Sequence, residues 1–384
     1  MLNKSTIYTA IAYVMMVLFC LYTYVSMRSL GFEESSGSFT SIVSLVVTFL
    51  GFVALLVSIN EYKTQFVVLW LLWIGWMFMI FLFGLGGKGI ADIFRVWLAP
   101  MTFLLFYYAG RNSLKSEKVA FIGFTILFAL AFYENISLFR FVNIVIGEEM
   151  GITNLVYWCL CAVPFLFLAP KNWQQLTFLI ASLIIVLLTG KRSASIAIAL
   201  ISVVFLLYST KSRKNKGRNL LFFVVAGIAL YYVINRYFMG SLLGLTKRMS
   251  NMGEDEGSGR IDIYKAVFAE MDHFSLLDWL VGRGFGSITI TNHTNAHNDG
   301  LQMVFEYGLV GLIFYITMLF TVIKRTLRLR EIKSPYYMGY AASLIIFVVL
   351  GAVSNLVVFY SYFAFICAYW GFVEAKMVQA NQIR

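Results

Sequence analysis

Residues 66–85 read FVVLWLLWIGWMFMIFLFGL, an uninterrupted run without a charged side chain. A helix needs about 20 apolar residues to cross the hydrocarbon core of a bilayer, so this run predicts a transmembrane span. Similar runs recur along almost the whole chain, whose 384 residues are 60% hydrophobic and 13% charged, with a mean hydropathy of +0.80. Because roughly a quarter of the residues in soluble domains are charged, this composition excludes a soluble domain.

Counting such runs predicts an all-α polytopic membrane protein with about 12 transmembrane helices. The predicted spans are 6–27, 40–59, 66–85, 94–110, 119–138, 152–170, 176–190, 193–208, 219–238, 299–323, 336–353 and 355–376. We therefore divide the chain into an N-terminal bundle (1–238), one long loop (239–298) and a group of C-terminal spans (299–384). The first run is longer than the core of a cleaved signal peptide, and we expect it to be retained as a signal anchor.

Basic residues are concentrated in short loops between the apolar runs, which explains the net charge of +11 without a nucleic-acid partner. The loops at 211–218 and 324–333 are the most basic, and the loop at 111–118 adds to them. Cytoplasmic loops carry the excess of Lys and Arg, so an even number of spans places these loops and both termini in the cytoplasm. The long loop at 239–298 then lies on the outer face.

A chain of this kind is also compatible with a transporter. Transporters of the major facilitator type have two similar halves joined by a long cytoplasmic loop. Here the midpoint connection at 171–175 is short, and the large hydrophilic segment lies between the ninth and tenth spans on the outer face. This asymmetry favours a function at the outer membrane surface.

Lys191 and Arg192 stand between the seventh and eighth spans, on the face where topology disfavours cations. Burial of each charge at membrane depth would cost about 2.5–3.5 kcal/mol. Two interpretations stay open, because the long side chains either reach the lipid headgroups or form an anion site.

Residues 258–271 of the outer loop predict an amphipathic helix that lies on the membrane or on the bundle. Arg260 falls in its first turn, where free backbone N–H groups and the helix dipole favour an anion such as phosphate. The alternative is an ion pair of Arg260 with Glu254, Asp255 or Glu256. Arg283 lies in the glycine-rich segment 282–286, which we interpret as a tight turn because no βαβ unit accompanies it.

Two of the three histidines, His293 and His297, lie at the end of the outer loop. A zinc site is not predicted, because the His-Glu-x-x-His pattern is absent and the residues before His297 favour a loop. His297, beside Asn298, is suited to taking a proton from a hydroxyl, or it anchors the following helix. Glu306, about two turns deeper in the same span, is a functional candidate as an intramembrane carboxylate, or it pairs with an outer Arg.

Taken together, these motifs resemble the O-antigen polymerase and ligase superfamily. The resemblance covers residues 185–315 and rests on four features in a fixed order. They are a Thr-Gly-Lys-Arg-Ser turn (189–193), Ser-Gly-Arg before a helix (258–260), a Gly-x-Gly turn, and His-Asn-Asp-x-Leu-Gln-x-x-x-Glu-x-Gly-Leu-x-Gly (297–311).

The resemblance implies a C-type, metal-independent glycosyltransferase of the bacterial inner membrane, acting on the periplasmic side without a cofactor. Its donor would be an oligosaccharide linked to undecaprenyl diphosphate. Arg192 and Arg260 match the family's two functional arginines and His297 matches its histidine, so these three are the expected catalytic residues. We expect substrate to be bound by Lys191, Arg283, His293, Asn298 and Glu306.

The two main activities of this family differ in the acceptor. A polymerase joins the growing chain to another lipid-linked repeat unit, whereas a ligase moves the finished glycan onto lipid A-core. The His-Asn-Asp-x-Leu-Gln motif in an aromatic-rich chain resembles polymerases more closely. An exporter or flippase would bind the same anionic lipid without chemistry. The sequence leaves open the sugars, the acceptor hydroxyl, the oligomeric state and any partner that regulates chain length.

Overall fold

The computed structural model describes residues 4–31, 37–58, 64–83, 90–113, 115–141, 154–209, 260–292, 295–357 and 359–380. Within this part of the chain, every regular element is a helix. The helices are α1 (Lys4–Gly31), α2 (Gly37–Ser58), α3 (Gln65–Leu82), α4 (Ile90–Asn112), α5 (Ser116–Phe141), α6 (Val156–Leu166), α7 (Asn172–Thr189), α8 (Arg192–Ser209), α9 (Arg260–Met271), α10 (Leu276–Val281), α11 (Ser287–Asn292), α12 (Asp299–Glu331), α13 (Tyr337–Val353) and α14 (Tyr360–Gln379).

Six of these helices, α1, α3, α4, α5, α7 and α12, are long and apolar enough to cross a membrane. Shorter apolar helices occur in α2, α6, α8 and α13. Every predicted span except 219–238 coincides with a helix, and 219–238 lies outside the described residues. The prediction of an all-α polytopic membrane protein is therefore confirmed.

The middle of the bundle is formed by α4 and α14, in which residues 98–109 and 362–375 are all buried. Aromatic rings fill the space around them. Phe66 of α3 lies with its ring centroid 5.1 Å from that of Phe103 in α4 and 5.5 Å from that of Trp370 in α14. Helices inside a membrane are held by such close packing, because lipid tails are as apolar as the side chains themselves.

One end of the bundle carries the basic segments around Arg111 and Arg328, and we call it the basic end. Thr9 of α1 donates to the carbonyl of Asn112 at 3.0 Å, and Gln379 of α14 donates to the carbonyl of Arg111 at 2.6 Å. Tyr336, just before α13, donates to Glu117 at the start of α5. The first and last helices therefore start and end beside the connections at 112–116 and 332–336, as an even number of spans requires.

The opposite end carries the start of α6, the turn between α7 and α8, the start of α12 and the connection between α13 and α14. We call it the histidine end, because His297 lies there. Gly190 ends α7 with a φ of 61°, which turns the chain sharply before α8 begins at Arg192. The break predicted at 190–193 is therefore a left-handed glycine turn, a conformation that glycine adopts without steric cost.

Helix α12 is interrupted at Gly308, whose φ of 65° and ψ of −167° are not helical. The span predicted at 299–323 lies within this helix, and the break at Gly308 is a feature that the apolar run does not predict. The carbonyls of Phe305 and Glu306, next to the break, accept hydrogen bonds from the backbone N–H groups of Arg283 and Gly284 at 3.0 and 2.9 Å. Broken helices persist at membrane depth only where neighbouring groups satisfy the backbone, and the glycine-rich turn does so here.

Candidate active site

His297 lies in the loop that precedes α12, as predicted, and has a φ of 53°. A left-handed conformation of a non-glycine residue costs about 1–3 kcal/mol and persists only where the surroundings hold it. Asn298 caps the helix, because its side-chain oxygen accepts from the N–H of Leu301 at 2.9 Å. Asn298 also donates to the carbonyl of Ala352 at 3.2 Å, which ties the loop to α13.

Gln302 is buried beneath this loop, and its side chain makes four hydrogen bonds. Its side-chain oxygen accepts from the N–H of Ala296 at 3.2 Å and from the amide of Asn355 at 3.4 Å. Its amide donates to Asn295 at 3.3 Å and to Glu306 at 2.8 Å. A single side chain thereby fixes both residues that precede His297.

Asp299, fully buried, joins the same loop to the segment between α13 and α14. Its carboxylate accepts from the N–H of Leu356 at 3.0 Å and from the N–H of Val357 at 3.1 Å. Hydrogen bonds to a charged acceptor are stronger than neutral ones, so this contact fixes the start of α12 against that segment. The position of His297 is therefore set by two elements distant in sequence.

Two cations act on the imidazole of His297. Burial lowers the pKa of His297 below its usual 6.5, and the charges of Arg260 and Lys191 lower it further. The neutral imidazole is consequently the dominant form at neutral pH, and its unprotonated nitrogen is able to accept a proton. Arg260 is the first residue of α9, so three separate elements meet at this site.

Tyr157, near the start of α6, lies next to these cations. The ammonium group of Lys191 lies 5.7 Å from the centroid of the Tyr157 ring. The hydroxyl of Tyr157 lies 2.8 Å from that of Ser193 and 2.7 Å from that of Ser354. The charge of Arg260 also acts on this phenol. We define the cation site as Lys191, Arg260 and His297, with Tyr157 beneath it.

Arg192 is the first residue of α8 and is half-buried at the same turn. Of the two adjacent cations, Lys191 is the one whose charge lowers the pKa of His297. The N-terminus of a helix favours anions, so the turn places two cations beside a helix N-terminus. Arg192 was expected to be catalytic and Lys191 to bind substrate, and the structure brings the charge of Lys191 to bear on His297.

The remaining predicted residues have other surroundings. Arg283 pairs with Glu270 at 2.9 Å, and its guanidinium lies 4.6 Å from the ring centroid of Phe274. These contacts join the glycine-rich turn to α9. Glu306 is buried and accepts from Gln302, while His293 lies outside the described residues.

The predicted amphipathic helix is α9, which begins at Arg260. Val267 and Met271 are buried in a small cluster with Phe305 of α12, whereas Ile261 and Phe268 are exposed. The helix thus packs on the bundle with one face and leaves apolar side chains on another. The alternative partners predicted for Arg260, at 254–256, lie outside the described residues.

Sequence reasoning missed Tyr157, Ser354 and Gln302. A tyrosine at the end of an apolar run is normally explained by the aromatic belt at the membrane surface, so Tyr157 carried no specific signal. Gln302 is part of the motif at 297–311, but its role in holding the loop is seen only from its burial and its hydrogen bonds. Across the described ranges, no three His, Cys, Asp or Glu side chains are grouped as metal ligands would be.

Residues 177–316 match the family model described as O-antigen ligase. The matched segment begins within α7 and ends beyond the break in α12, so it includes Lys191, Arg192, Arg260 and His297. No curated protein matches the chain. Over this segment, which begins in α7 and ends in α12, the chain is similar to the O-antigen ligase family.

Proposed function

We propose that this chain is an O-antigen polymerase that joins undecaprenyl-diphosphate-linked repeat units on the periplasmic side of the inner membrane. The observation that carries the proposal is the cation site, in which a largely neutral His297 lies near Lys191 and Arg260. A base beside two cations is the combination that transfer from a lipid diphosphate requires. The preference for a polymerase over a ligase is supported by the motif at 297–302.

The proposed reaction is an inverting displacement. A hydroxyl of the acceptor sugar attacks the anomeric carbon of the donor, and the bond between that carbon and the diphosphate oxygen breaks. His297 accepts the proton of the hydroxyl, and undecaprenyl diphosphate leaves with the bonding electron pair. General-base assistance of this kind contributes about 10²–10⁴-fold to a rate.

The cations stabilise the departing diphosphate. Arg260 and Arg192 present forked N–H donors that suit two phosphate oxygens at once, whereas Lys191 contributes a point charge. Fixed positive charges aimed at developing negative charge are often the largest contribution to catalysis. The proposed chemistry therefore needs no metal ion, since guanidinium and ammonium groups neutralise the leaving group.

Both termini and the basic end are proposed to face the cytoplasm, with the histidine end facing the periplasm. Accessibility tags inserted at 211–218 and at 250–257 test this placement, because the account requires them on opposite sides of the membrane. Two tags on the same side would contradict it.

The glycan ladder of a strain lacking the chain distinguishes the polymerase from the ligase. Lipid A-core bearing a single repeat unit is the expected result, because ligation would still operate on unpolymerised units. Complete absence of attached glycan, with long chains on the lipid carrier, would instead identify the ligase. An unchanged ladder would contradict both activities and favour export or another polysaccharide.

A further inference from the structure

Three hydroxyl groups from three distant parts of the chain meet beneath the cation site. Tyr157 lies within 2.8 Å of Ser193 and 2.7 Å of Ser354, and the two serine hydroxyls are 3.0 Å apart. All three side chains are buried. Because each hydroxyl both donates and accepts, the three satisfy one another without a ligand. We call Tyr157, Ser193 and Ser354 the hydroxyl triangle.

The triangle fixes the position of the Tyr157 hydroxyl, and with it the place of the ring. Ser193 lies in the first turn of α8, two residues after Lys191, and Ser354 caps the end of α13. A phenol held at its hydroxyl by two helices cannot move away from this position without breaking both contacts. The ring is thereby kept next to Lys191, whose ammonium lies over it at 5.7 Å from the ring centroid. That distance is within the roughly 6 Å over which a cation is attracted to a tyrosine face.

We propose that Tyr157 is a positioning residue that holds Lys191 in the cation site. Loss of the ring removes this contact and shifts the flexible side chain of Lys191 towards lipid headgroups or water. Tyrosine is required because it supplies both an aromatic face for the cation and a hydroxyl for the triangle. The inference rests on the proposed function for the role of Lys191 in the reaction, but the positioning itself is a property of the folded chain.

The positioning of Lys191 is measured through the pKa of His297, which depends on the charged groups near its imidazole. Arg260 of α9 and Lys191 of the turn between α7 and α8 both act on the imidazole. On its own helix, Asp299 is engaged by the N–H groups of Leu356 and Val357, and Glu306 lies deeper, bonded to Gln302. Displacing Lys191 removes one of the two positive charges, which favours protonation of the imidazole.

The experiment is an NMR titration of ¹⁵N-histidine-labelled full-length protein in lipid nanodiscs. The chain has three histidines, so the His297 signal is assigned by its loss in His297→Asn. We expect Tyr157→Leu to raise the His297 pKa, by on the order of 0.5. Tyr157→Phe keeps the ring and is expected to raise it by less. Lys191→Met is expected to give the full rise, and Tyr157→Leu added to it is expected to give no further change.

Tyr340→Leu is the matched control, because it removes an equally buried tyrosine ring from α13 far from the hydroxyl triangle. Its His297 pKa is expected to equal that of the unchanged protein. Should Tyr157→Leu fail to fold, Ser354→Ala, which removes one corner of the triangle, is expected to give a smaller rise. An unchanged His297 pKa in folded Tyr157→Leu, or a rise that persists on top of Lys191→Met, would overturn the inference.

The titration does not require enzymatic activity, so it tests the positioning of Lys191 separately from the proposed function. If the unchanged protein forms no glycan from lipid-linked repeat units while the pKa responds as expected, the proposed function fails and the positioning stands. If the protein is active and the pKa of His297 is the same in the unchanged protein and in Tyr157→Leu, the positioning fails and the proposed function stands. In active protein, the loss of rate in Tyr157→Leu is expected to be larger at pH 6 than at pH 8, whereas a general structural defect would lower both rates equally.

Discussion

Gly282 and Gly308 face each other across the break in α12. A Cβ atom on Gly308 would lie 2.3 Å from the carbonyl oxygen of Leu280, and one on Gly282 would lie 2.3 Å from the carbonyl carbon of Glu306. Both glycines have a positive φ, 78° and 65° respectively. The glycine-rich turn therefore packs against the broken helix backbone to backbone, and this contact supports the short helical piece that follows His297 and carries Gln302.

Substitution of Gly308 by alanine is expected to destabilise the protein strongly. The change forces a left-handed alanine and a clash with the backbone of Leu280, at a cost of about 2–4 kcal/mol. Thermal unfolding in detergent measures the effect. Gly75→Ala in α3 is the control, because no atom lies within 4 Å of the added methyl group, and its midpoint should be unchanged or slightly raised. Equal midpoints for both variants would contradict the described contact.

Replacement of His297 by a residue that preserves the fold tests its proposed role as general base. Asparagine tolerates a φ of 53° better than other side chains, so His297→Asn should remain folded while losing the proton acceptor. We expect a loss of about 10²–10⁴-fold in the rate of glycan formation, and a similar loss in His297→Ala. The measurement is the rate of glycan formation divided by the amount of membrane-inserted protein. A fully active His297→Asn would remove the assignment of His297 as base.

The pH dependence of the rate follows from the lowered pKa of His297. An imidazole with the usual pKa of 6.5 would be half protonated at that pH, whereas burial, Arg260 and Lys191 lower the pKa of His297 and so increase its neutral fraction there. The active, neutral form is therefore expected to persist below pH 6.5 and to be lost as the pH falls through the lowered pKa. In Arg260→Gln the residual activity should decline at a higher pH, because one of the two positive charges is gone.

Lys191 and Arg192 are expected to be of comparable importance. The sequence predicts a catalytic role for Arg192 and a substrate-binding role for Lys191, and in the structure the charge of Lys191 acts on His297. Each alanine variant should lower the rate by on the order of 100-fold. Lys265→Ala is the control, since Lys265 is exposed on α9 and pairs only loosely with Asp262 at 3.5 Å. A normal rate in Lys191→Ala would exclude Lys191 from the site.

The sequence was sufficient to place the helices, because each apolar run of about 20 residues has one favourable arrangement in a bilayer. It also identified the turn at Lys191, the loop at His297 and the helix that begins at Arg260, because charge and cap signals are local. The family resemblance then connected these separate segments before any geometry was known.

What the sequence could not predict depends on contacts between distant residues. The break at Gly308 is stabilised because the carbonyls of Phe305 and Glu306 accept from the N–H groups of Arg283 and Gly284, each 22 residues earlier in the chain. Tyr157 meets Ser354, which lies 197 residues later in the chain. Arg283 was expected to bind substrate, and its ion pair with Glu270 became visible only once α9 and the glycine-rich turn were placed together.

The central claim is most directly tested by reconstitution of the full chain in proteoliposomes with purified undecaprenyl-diphosphate-linked repeat units. The account predicts a ladder of products that grow by one unit, with one undecaprenyl diphosphate released per bond, and no ladder with His297→Asn. Transfer to added lipid A-core without a ladder would identify a ligase instead. A ladder of normal intensity from His297→Asn would contradict the assigned active site.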